Sequence, residues 1–387
     1  MKLLIVLTYY RPHTSGLTIY AERLAKAMVR RGHQVTVLTS HFQKDLPYDE
    51  VQDGVRIIRV PVAFRLSKGV IMPTFGWVAS RLAVKHDAIQ LHLPQFDAAG
   101  LALRGRLLKK PTIVTYHCDL LMPPGIISWM ANQAVTFMNN LTAIWSHRIV
   151  TYTQDYAENS NYARRYLKKV EVIDPPVELP DVSEQEIRDY RNRNILSKST
   201  PVIGMAARFA TEKGVEVLLA ALPKILDAYP NALVQFAGPY QNIIGEEEYF
   251  SRLWPLIQKY QEHNQWQFLG MLGPHKMALF YHNIDLLVLP SLNSTEAFGL
   301  VQIEAMLNGV PCIASNLPGV RQPVMRHSMG KVVPIGDSNA LAEAAIDILK
   351  HRKQYQVDQE ALKKQYSPDS LAEKYEILFK KIAEELK

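Results

Sequence analysis

Two cations five residues apart, Arg208 and Lys213, stand in Ala207-Arg208-Phe209-Ala210-Thr211-Glu212-Lys213-Gly214, between an apolar run and an amphipathic one. If this segment joins a strand to a helix, both cations lie beside a helix N-terminus, where the macrodipole already disfavours positive charge. A bound anion would account for them, and so would plain solvated surface. Farther on, Pro290 to Met306 places Glu296 in a loop, Phe298-Gly299 at the expected start of a helix, and Glu304 two turns into it. The first N–H groups of that helix are free to face a ligand. In the blander reading Glu296 is a capping carboxylate. A third segment, Thr8 to Thr18, holds Gly16 just ahead of a helical pattern, where backbone amides can approach a phosphate closely or simply turn. It contains no G-x-G-x-x-G, which disfavours a dinucleotide-binding oxidoreductase.

The elements that hold these residues follow from the apolar pattern. Leu3–Leu7, Val35–Thr39, Val55–Val60, Ala88–Leu93, Thr112–Tyr116 and Arg148–Thr151 read as short buried strands, and Leu24, Ala27 and Met28 recur at helical spacing within Tyr20–Arg31. Strands alternating with helices predict βαβ units and a parallel sheet. The composition turns polar around Pro175-Pro176 and Glu178–Asn194, placing a hinge near residue 178. The pattern then restarts with Pro201–Ala206, the helix Val215–Tyr229, Ala232–Ala237, Trp266–Leu269, Ile284–Pro290 and Pro311–Ala314, and closes on an amphipathic helix from Leu371 to Glu385. The expected fold is α/β, with two Rossmann-like domains, 1–178 and 179–387, whose ligands bind at the carboxyl ends of the strands.

The bulk numbers agree with two cores. A chain of 387 residues with 48% hydrophobic and 21% charged side chains has ample apolar material and no signature of disorder. Cys118 and Cys312, each in an apolar stretch, read as reduced packed thiols. The N-terminus, Met1 to Leu7, reads as a first strand rather than a signal peptide. The longest stretch without Asp, Glu, Lys or Arg, Leu120–His147, contains Pro123, Pro124, Gly125 and several Asn and Gln, and reads as a packed or interfacial helix rather than a lipid-embedded span. Net charge is +7, with 22 Lys/Arg against 13 Asp/Glu in residues 1–180 and 22 against 24 in the rest. A basic bias of this kind draws nucleic acid, an anionic membrane or an acidic substrate without choosing among them.

Taken together, the segments resemble the retaining GT-B glycosyltransferases of family 4. The resemblance rests on Glu296 and Glu304 around Phe298-Gly299-Leu300, on Glu304-Ala305-Met306 with Gly309-Val310-Pro311, and on Ser15-Gly16 before the first helix. It extends through Arg31-Gly32-His33-Gln34-Val35, Thr115-Tyr116-His117, Arg208 with Lys213-Gly214, Phe268-Leu269-Gly270 and Pro318-Gly319-Val320. It implies two Rossmann-like domains facing across a cleft, the donor on the second and the acceptor on the first, with the helix at about 371–385 able to return to the first domain. It implies that Arg208 and Lys213 bind the donor diphosphate and stabilise the leaving group, with the amides of Phe298, Gly299 and Leu300 and the loop at Gly16. Glu296 would grip sugar hydroxyls, Glu304 the ribose, and the backbone near Leu272 the base. His117 would reach the sugar, although as a residue it reads more simply as a satisfied structural histidine. Tyr9, Thr18, Arg65 and Lys68 are the expected acceptor-side residues.

Two departures stand out: Ser15-Gly16 replaces the frequent Gly-Gly, and Gly238-Pro239-Tyr240 replaces a Gly-rich turn, where Pro239 has no N–H to give. No D-x-D occurs in the chain, so a metal clamp has no evident ligands and no cofactor is expected. The expected activity is metal-independent, retaining sugar transfer from a nucleotide diphosphate to an acceptor hydroxyl, of a sugar, glycolipid or cell-envelope glycan precursor. A nucleotide-sugar epimerase of similar fold and a non-catalytic nucleotide-sugar-binding protein are the competing readings. The expected location is cytoplasmic, peripheral on an anionic membrane and without nucleic acid. Val60–Met72, which interleaves apolar residues with Arg65 and Lys68, and the cluster Arg104, Arg106, Lys109 and Lys110 are the expected membrane contacts.

Overall fold

The structure, a computed structural model, describes residues 1–66, 69–121, 125–194 and 200–387. The chain divides into two compact units, Met1–Pro176 with Gln365–Lys387, and Val177–Lys364.

In the first unit the strands are β1 (Lys2–Val6), β2 (Gln34–His41), β3 (Asp49–Gln52), β4 (Val55–Pro61), β5 (Phe64–Leu66), β6 (Gly69–Ile71), β7 (Ala88–Leu93), β8 (Thr112–Tyr116), β9 (Arg148–Thr151) and β10 (Val170–Val172). Eight of them form one sheet in the order β10-β9-β8-β7-β1-β2-β4-β3, and β5 and β6 form a separate hairpin. Only β3 runs antiparallel within the large sheet. Leu3 to Val6 of the central strand are fully buried, as a parallel strand covered on both faces requires.

The second unit holds β11 (Val202–Ala206), β12 (Leu233–Ala237), β13 (Trp266–Gly270), β14 (Leu286–Leu289), β15 (Cys312–Ser315) and β16 (Gly330–Val333). They form one parallel sheet in the order β13-β12-β11-β14-β15-β16. Both central strands are apolar and buried throughout, and the helices Val215–Ala228 and Ser338–Lys350 pack together over the sheet. Phe209, Phe236, Tyr249, Phe250, Trp266 and Phe268 make an aromatic cluster beside β12.

The closing helix, Pro368–Glu385, is capped by Ser367, starts on a proline, and buries Leu371, Ala372, Tyr375, Leu378, Phe379 and Ile382 along one stripe. It belongs to the first unit, against the helix Gly16–Arg30. Tyr375 places its hydroxyl 2.8 Å from that of Tyr20 and 2.7 Å from Thr115 Oγ1, which also accepts from Gln90. Glu376 accepts two bonds from Arg31, at 2.9 and 2.8 Å, and lies 2.5 Å from His33 Nε2. The Arg31 hydrogen bonds come first in holding its carboxyl down to about 2. Because the native pKa is depressed, this stabilisation is present above the ordinary glutamate range and is lost as pH falls towards 2. Glu376→Gln should therefore lower stability at pH 7 by about 1–3 kcal/mol, the effect of unmaking a charged hydrogen-bonded partner. In thermal melts at a series of pH values, the gap to the parent protein should close on acidification; a gap that persists unchanged to pH 2 would remove the carboxylate from this role.

Candidate active site

In the second unit the strand order reverses between β11 and β14: the chain leaves β11 towards β12 on one side and β14 towards β15 on the other. The two loops that follow therefore diverge over the carboxyl edge and leave a crevice, the usual ligand position in such sheets. Ala207–Gly214 and Pro290–Gly299 are these loops.

They are tied to each other at three places. The amide of Leu292 donates to Glu212 O at 2.9 Å. Lys213 Nζ donates to Glu296 Oε2 at 2.7 Å, with both side chains largely shielded. Gly214 has φ +68°, and a Cβ there would stand 2.1 Å from the carbonyl oxygen of Pro290. Each loop is also anchored to its own surroundings. Phe209 is fully buried in the aromatic cluster and its amide donates to Pro239 O at 2.8 Å, so the proline that lacks an N–H serves through its carbonyl. Glu246 accepts from both the amide and the hydroxyl of Thr211, at 2.9 and 2.7 Å.

Arg208, next to the anchored Phe209, pairs with Glu212. Burial alone would raise the Glu212 carboxyl, but Arg208 and then Lys213 outweigh it and hold it below its ordinary value. Glu296 does two things at once: Oε2 takes Lys213, and Oε1 accepts the amide of Gly299 at 3.0 Å. Glu296 thus links the Lys213 ammonium to the backbone just ahead of the next helix, although the helix Leu300–Met306 itself has no side-chain cap.

Gly299 is left-handed, with φ +76°, and precedes the helix Leu300–Met306, one residue beyond the expected Phe298-Gly299 start. Phe298 is buried, and Gln302 Nε2 donates to its carbonyl at 2.8 Å and to that of Val320 at 2.9 Å. Glu304 is buried and accepts the hydroxyl of Tyr281 at 2.9 Å. Leu272 lies half-buried in the loop after β13. Arg208, Lys213, Glu296 and the Phe298–Leu300 turn are therefore held by one set of loops, with Glu304 about one turn into the following helix rather than the two expected. Glu212, Tyr281 and Gln302 are the supporting residues that sequence reading passed over. Glu212 alone had a visible signal, its place between the two cations.

In the first unit Ser15 caps the helix Gly16–Arg30, its hydroxyl accepting from Thr18 N at 3.2 Å, and a Cβ on Gly16 would meet nothing within 4 Å. Thr18, expected at the acceptor, is fully buried, with its hydroxyl 3.0 Å from Ser15 Oγ and 3.4 Å from Tyr9 O. It fixes the loop from inside. Tyr9 stacks on His13 at 4.9 Å and meets the edge of Phe42 at 5.6 Å; Arg65 donates to Phe42 O. Lys68 lies outside the described residues. Arg104, expected in a surface cluster, turns inward to Ser80 Oγ and the carbonyls of Gly100 and Gly76.

His117 is 7% exposed, and both of its ring nitrogens have partners inside the unit: Nε2 lies 2.7 Å from His92 Nδ1, and Nδ1 meets the Tyr152 hydroxyl. Burial first, then the neighbouring His92, holds its pKa well below the ordinary histidine value; burial takes His92 down to about 3. Both rings are neutral, and His117 is satisfied at both nitrogens while His92 Nε2 is buried without a partner among the described residues, so the geometry of His117 itself fits its structural reading.

Two Rossmann-like parallel sheets in one chain, with a cationic switch-point loop on the second, define a glycosyltransferase of the GT-B fold. Residues 186–378 match the model of glycosyl transferases group 1, and residues 15–174 the glycosyl transferase 4-like domain. The chain belongs to the group 1 glycosyltransferases and is an enzyme of sugar transfer. It is 26% identical to an uncharacterized glycosyltransferase of Methanocaldococcus jannaschii, over 86% of this chain and 84% of that protein. It is 25% identical to the phosphatidyl-myo-inositol mannosyltransferase of Mycobacterium leprae, over 91% and 88%. Among solved structures, Anabaena HepE in complex with UDP and glucose superposes with a TM-score of 0.75 at 17% identity, covering 98% of this chain and 99% of that one.

The loop geometry sets its own test. Gly214→Ala adds a Cβ against the Pro290 carbonyl at a left-handed position, which for a non-glycine residue costs roughly 1–2 kcal/mol before any steric term. The thermal midpoint should fall by several degrees, and sugar transfer should fall further than the population of folded protein explains. An unshifted midpoint would mean that the two loops are not packed as described.

Proposed function

We propose that the chain is a retaining, metal-independent glycosyltransferase that draws its sugar from a nucleotide diphosphate and passes it to a hydroxyl of a membrane-borne glycolipid or cell-envelope glycan precursor. The observation that carries this reading is the pair of cations, Arg208 and Lys213, fixed at the strand-order reversal of the second unit by Glu212 and Glu296. Breaking the bond between the anomeric carbon and the phosphate oxygen leaves extra negative charge on the diphosphate and spreads positive charge over the sugar ring. Two preset cations stabilise the first without reorganisation at the moment of reaction. The acceptor hydroxyl oxygen forms the new bond to the anomeric carbon on the face that the diphosphate leaves, and its proton passes to the departing phosphate oxygen. No protein nucleophile is needed, in contrast to the retaining glycosidases.

In this reading Glu296 aligns donor-sugar hydroxyls, Glu304, braced by Tyr281, holds the ribose, and the amides of the Phe298–Leu300 turn and the loop at Leu272 complete the donor site. Tyr9, with Arg65 beside it, serves the acceptor side. His117, neutral and doubly bonded, is a positioning residue there. The binding of UDP by HepE supports a nucleotide diphosphate donor, and the mannosyltransferase relative supports a lipid-linked acceptor. Among the described residues no helix is long and apolar enough to cross a membrane, so peripheral association at the cytoplasmic face is proposed.

Arg208→Ala and Lys213→Ala should each lower kcat by roughly two to three orders of magnitude, as removal of a charge-stabilising donor does. Glu304→Ala should act mainly on KM, because a ribose contact is made equally in ground and transition states. Near-parental turnover in both cation variants would sink the assignment. A thermal-shift panel of nucleotide diphosphates identifies the base, since only a bound ligand raises apparent stability.

Stereochemistry and metal use form a separate test. With the donor and acceptor so found, NMR of the product should show the donor's anomeric configuration retained, and transfer should persist in excess chelator. An inverted linkage, or transfer abolished by the chelator and restored by a divalent cation, would overturn that part of the reading.

A further inference from the structure

The uncharged stretch Leu120–His147 takes no part in the proposed transfer chemistry. Its core is the helix Ile126–Trp145, on which no Asp, Glu, Lys or Arg occurs. One side, with Asn139, Thr142 and Ala143, is buried, and the helix packs against Ala98–Leu107. The other side exposes Ile126 (80%), Trp129 (62%), Met130 (60%), Phe137 (62%) and Ile144 (49%). At 3.6 residues per turn these five fall within an arc of about 100°. They share one face of the helix, a ridge interrupted by the exposed Gln133 and the half-buried Asn140, and clustered apolar exposure of this kind marks an interaction surface.

Cations cluster beside the C-terminal half of the helix. Lys169 donates to the carbonyls of Ala143, Ile144 and Ser146 at 2.8–2.9 Å, closing the helix C-terminus. The segment Ala163–Lys169 lies alongside, tied by Tyr162 to Asn139 O and by Tyr166 to Asn140 Oδ1. Its Arg164, Arg165 and Lys168 are exposed. The end of Ala98–Leu107 brings exposed Arg106 and Lys109 towards the same C-terminal end of the helix, where burial first and then Arg106 hold the His147 and Lys169 pKa values down. Arg106, Lys109, Arg164, Arg165 and Lys168 form no ion pair among the described residues. The first unit carries 26 Lys/Arg against 17 Asp/Glu, the second 18 against 20.

We infer that this ridge is the surface that docks on an anionic lipid bilayer, with Trp129 and Phe137 entering the headgroup boundary and the flanking cations meeting lipid phosphates. The inference rests on the reading that the acceptor is membrane-borne, and it moves the docking surface away from Val60–Met72. A second copy of the chain is the poorer occupant. A two-fold interface through this face would set the same unpaired cations against one another. An exposed apolar helix face with cations beside it suits an anionic lipid surface.

The test is co-sedimentation of the full chain with vesicles of phosphatidylcholine, with and without phosphatidylglycerol, beside tryptophan emission and light scattering. The parent protein should bind only the anionic vesicles, with a blue shift and quenching by brominated lipid. Trp129→Ser with Phe137→Ser should weaken partitioning by about tenfold or more, as loss of inserted apolar surface does. Arg164→Gln with Arg165→Gln and Lys168→Gln should weaken it and flatten its salt dependence. Both sets are surface changes and should leave the thermal midpoint and slow donor hydrolysis unchanged. Anionic binding that survives the aromatic substitutions would overturn the ridge and leave a membrane acceptor standing, whereas no vesicle binding at all would overturn both. A parental dimer that the aromatic variant dissociates would make the ridge a self-interface, and tighter binding to polyglutamate than to anionic vesicles would reassign it to an acidic protein.

Discussion

The arrangement of the second unit depends on keeping two diverging loops together where the strand order reverses. Left to themselves, the loops after β11 and β14 have no reason to stay in register, because their chains depart to opposite sides of the sheet. Gly214 allows backbone to meet backbone, the Leu292 amide adds a hydrogen bond, and Lys213 with Glu296 adds charge. Cations near the start of the helix Val215–Ala228 work against its dipole by about 0.3–1 kcal/mol each. Glu212 and Glu296, within bonding distance, offset that opposition and fix the cations in direction as well as in place. In the proposed reading, a donor diphosphate meets groups already aimed.

The first unit meets a different constraint, that of polar groups in a closed interior. Gln90, Thr115, Tyr20 and Tyr375 form one connected network, so the hydroxyl that the last helix brings into the core finds partners there. Without those partners each buried hydroxyl would cost roughly 1–3 kcal/mol. His92 and His117 face each other through Nδ1 and Nε2, only one of which can carry the shared proton, and burial keeps both rings uncharged. His117 is thereby held rigidly just after β8.

What the sequence disclosed and what it withheld divide along physical lines. Central strands such as Leu3–Leu7 and Ile284–Pro290 were legible because burial on both faces forces a continuous apolar run. β3 and β10 were not, because exposed or half-exposed edge strands carry no such run. The hairpin of β5 and β6 was missed for want of length, and β16 because it is another half-exposed edge strand. Arg208, Lys213, Glu296 and Glu304 were conspicuous as charged residues in loops and at a helix start. Tyr281 and Gln302 look like ordinary helix residues until the fold brings Glu304 and the Phe298 carbonyl to them. Arg104 shows the converse error, a cation counted as surface whose guanidinium braces two helices from within.

Charge acts differently in the two units, and range decides how. In the second unit each site cation is matched by a carboxylate within a hydrogen bond, so beyond a Debye length of about 8–10 Å the pairs look nearly neutral. Selection there must come from short, directional contacts made after encounter. In the first unit Arg106, Lys109, Arg164, Arg165 and Lys168 are exposed without ion pairs among the described residues, and their field adds rather than cancels. Such a field orients an approach and is sensitive to salt. In the proposed reading this separates two tasks that would otherwise interfere: a locally balanced donor site does not trap every passing anion, and an unbalanced docking surface does not need to recognise a particular one.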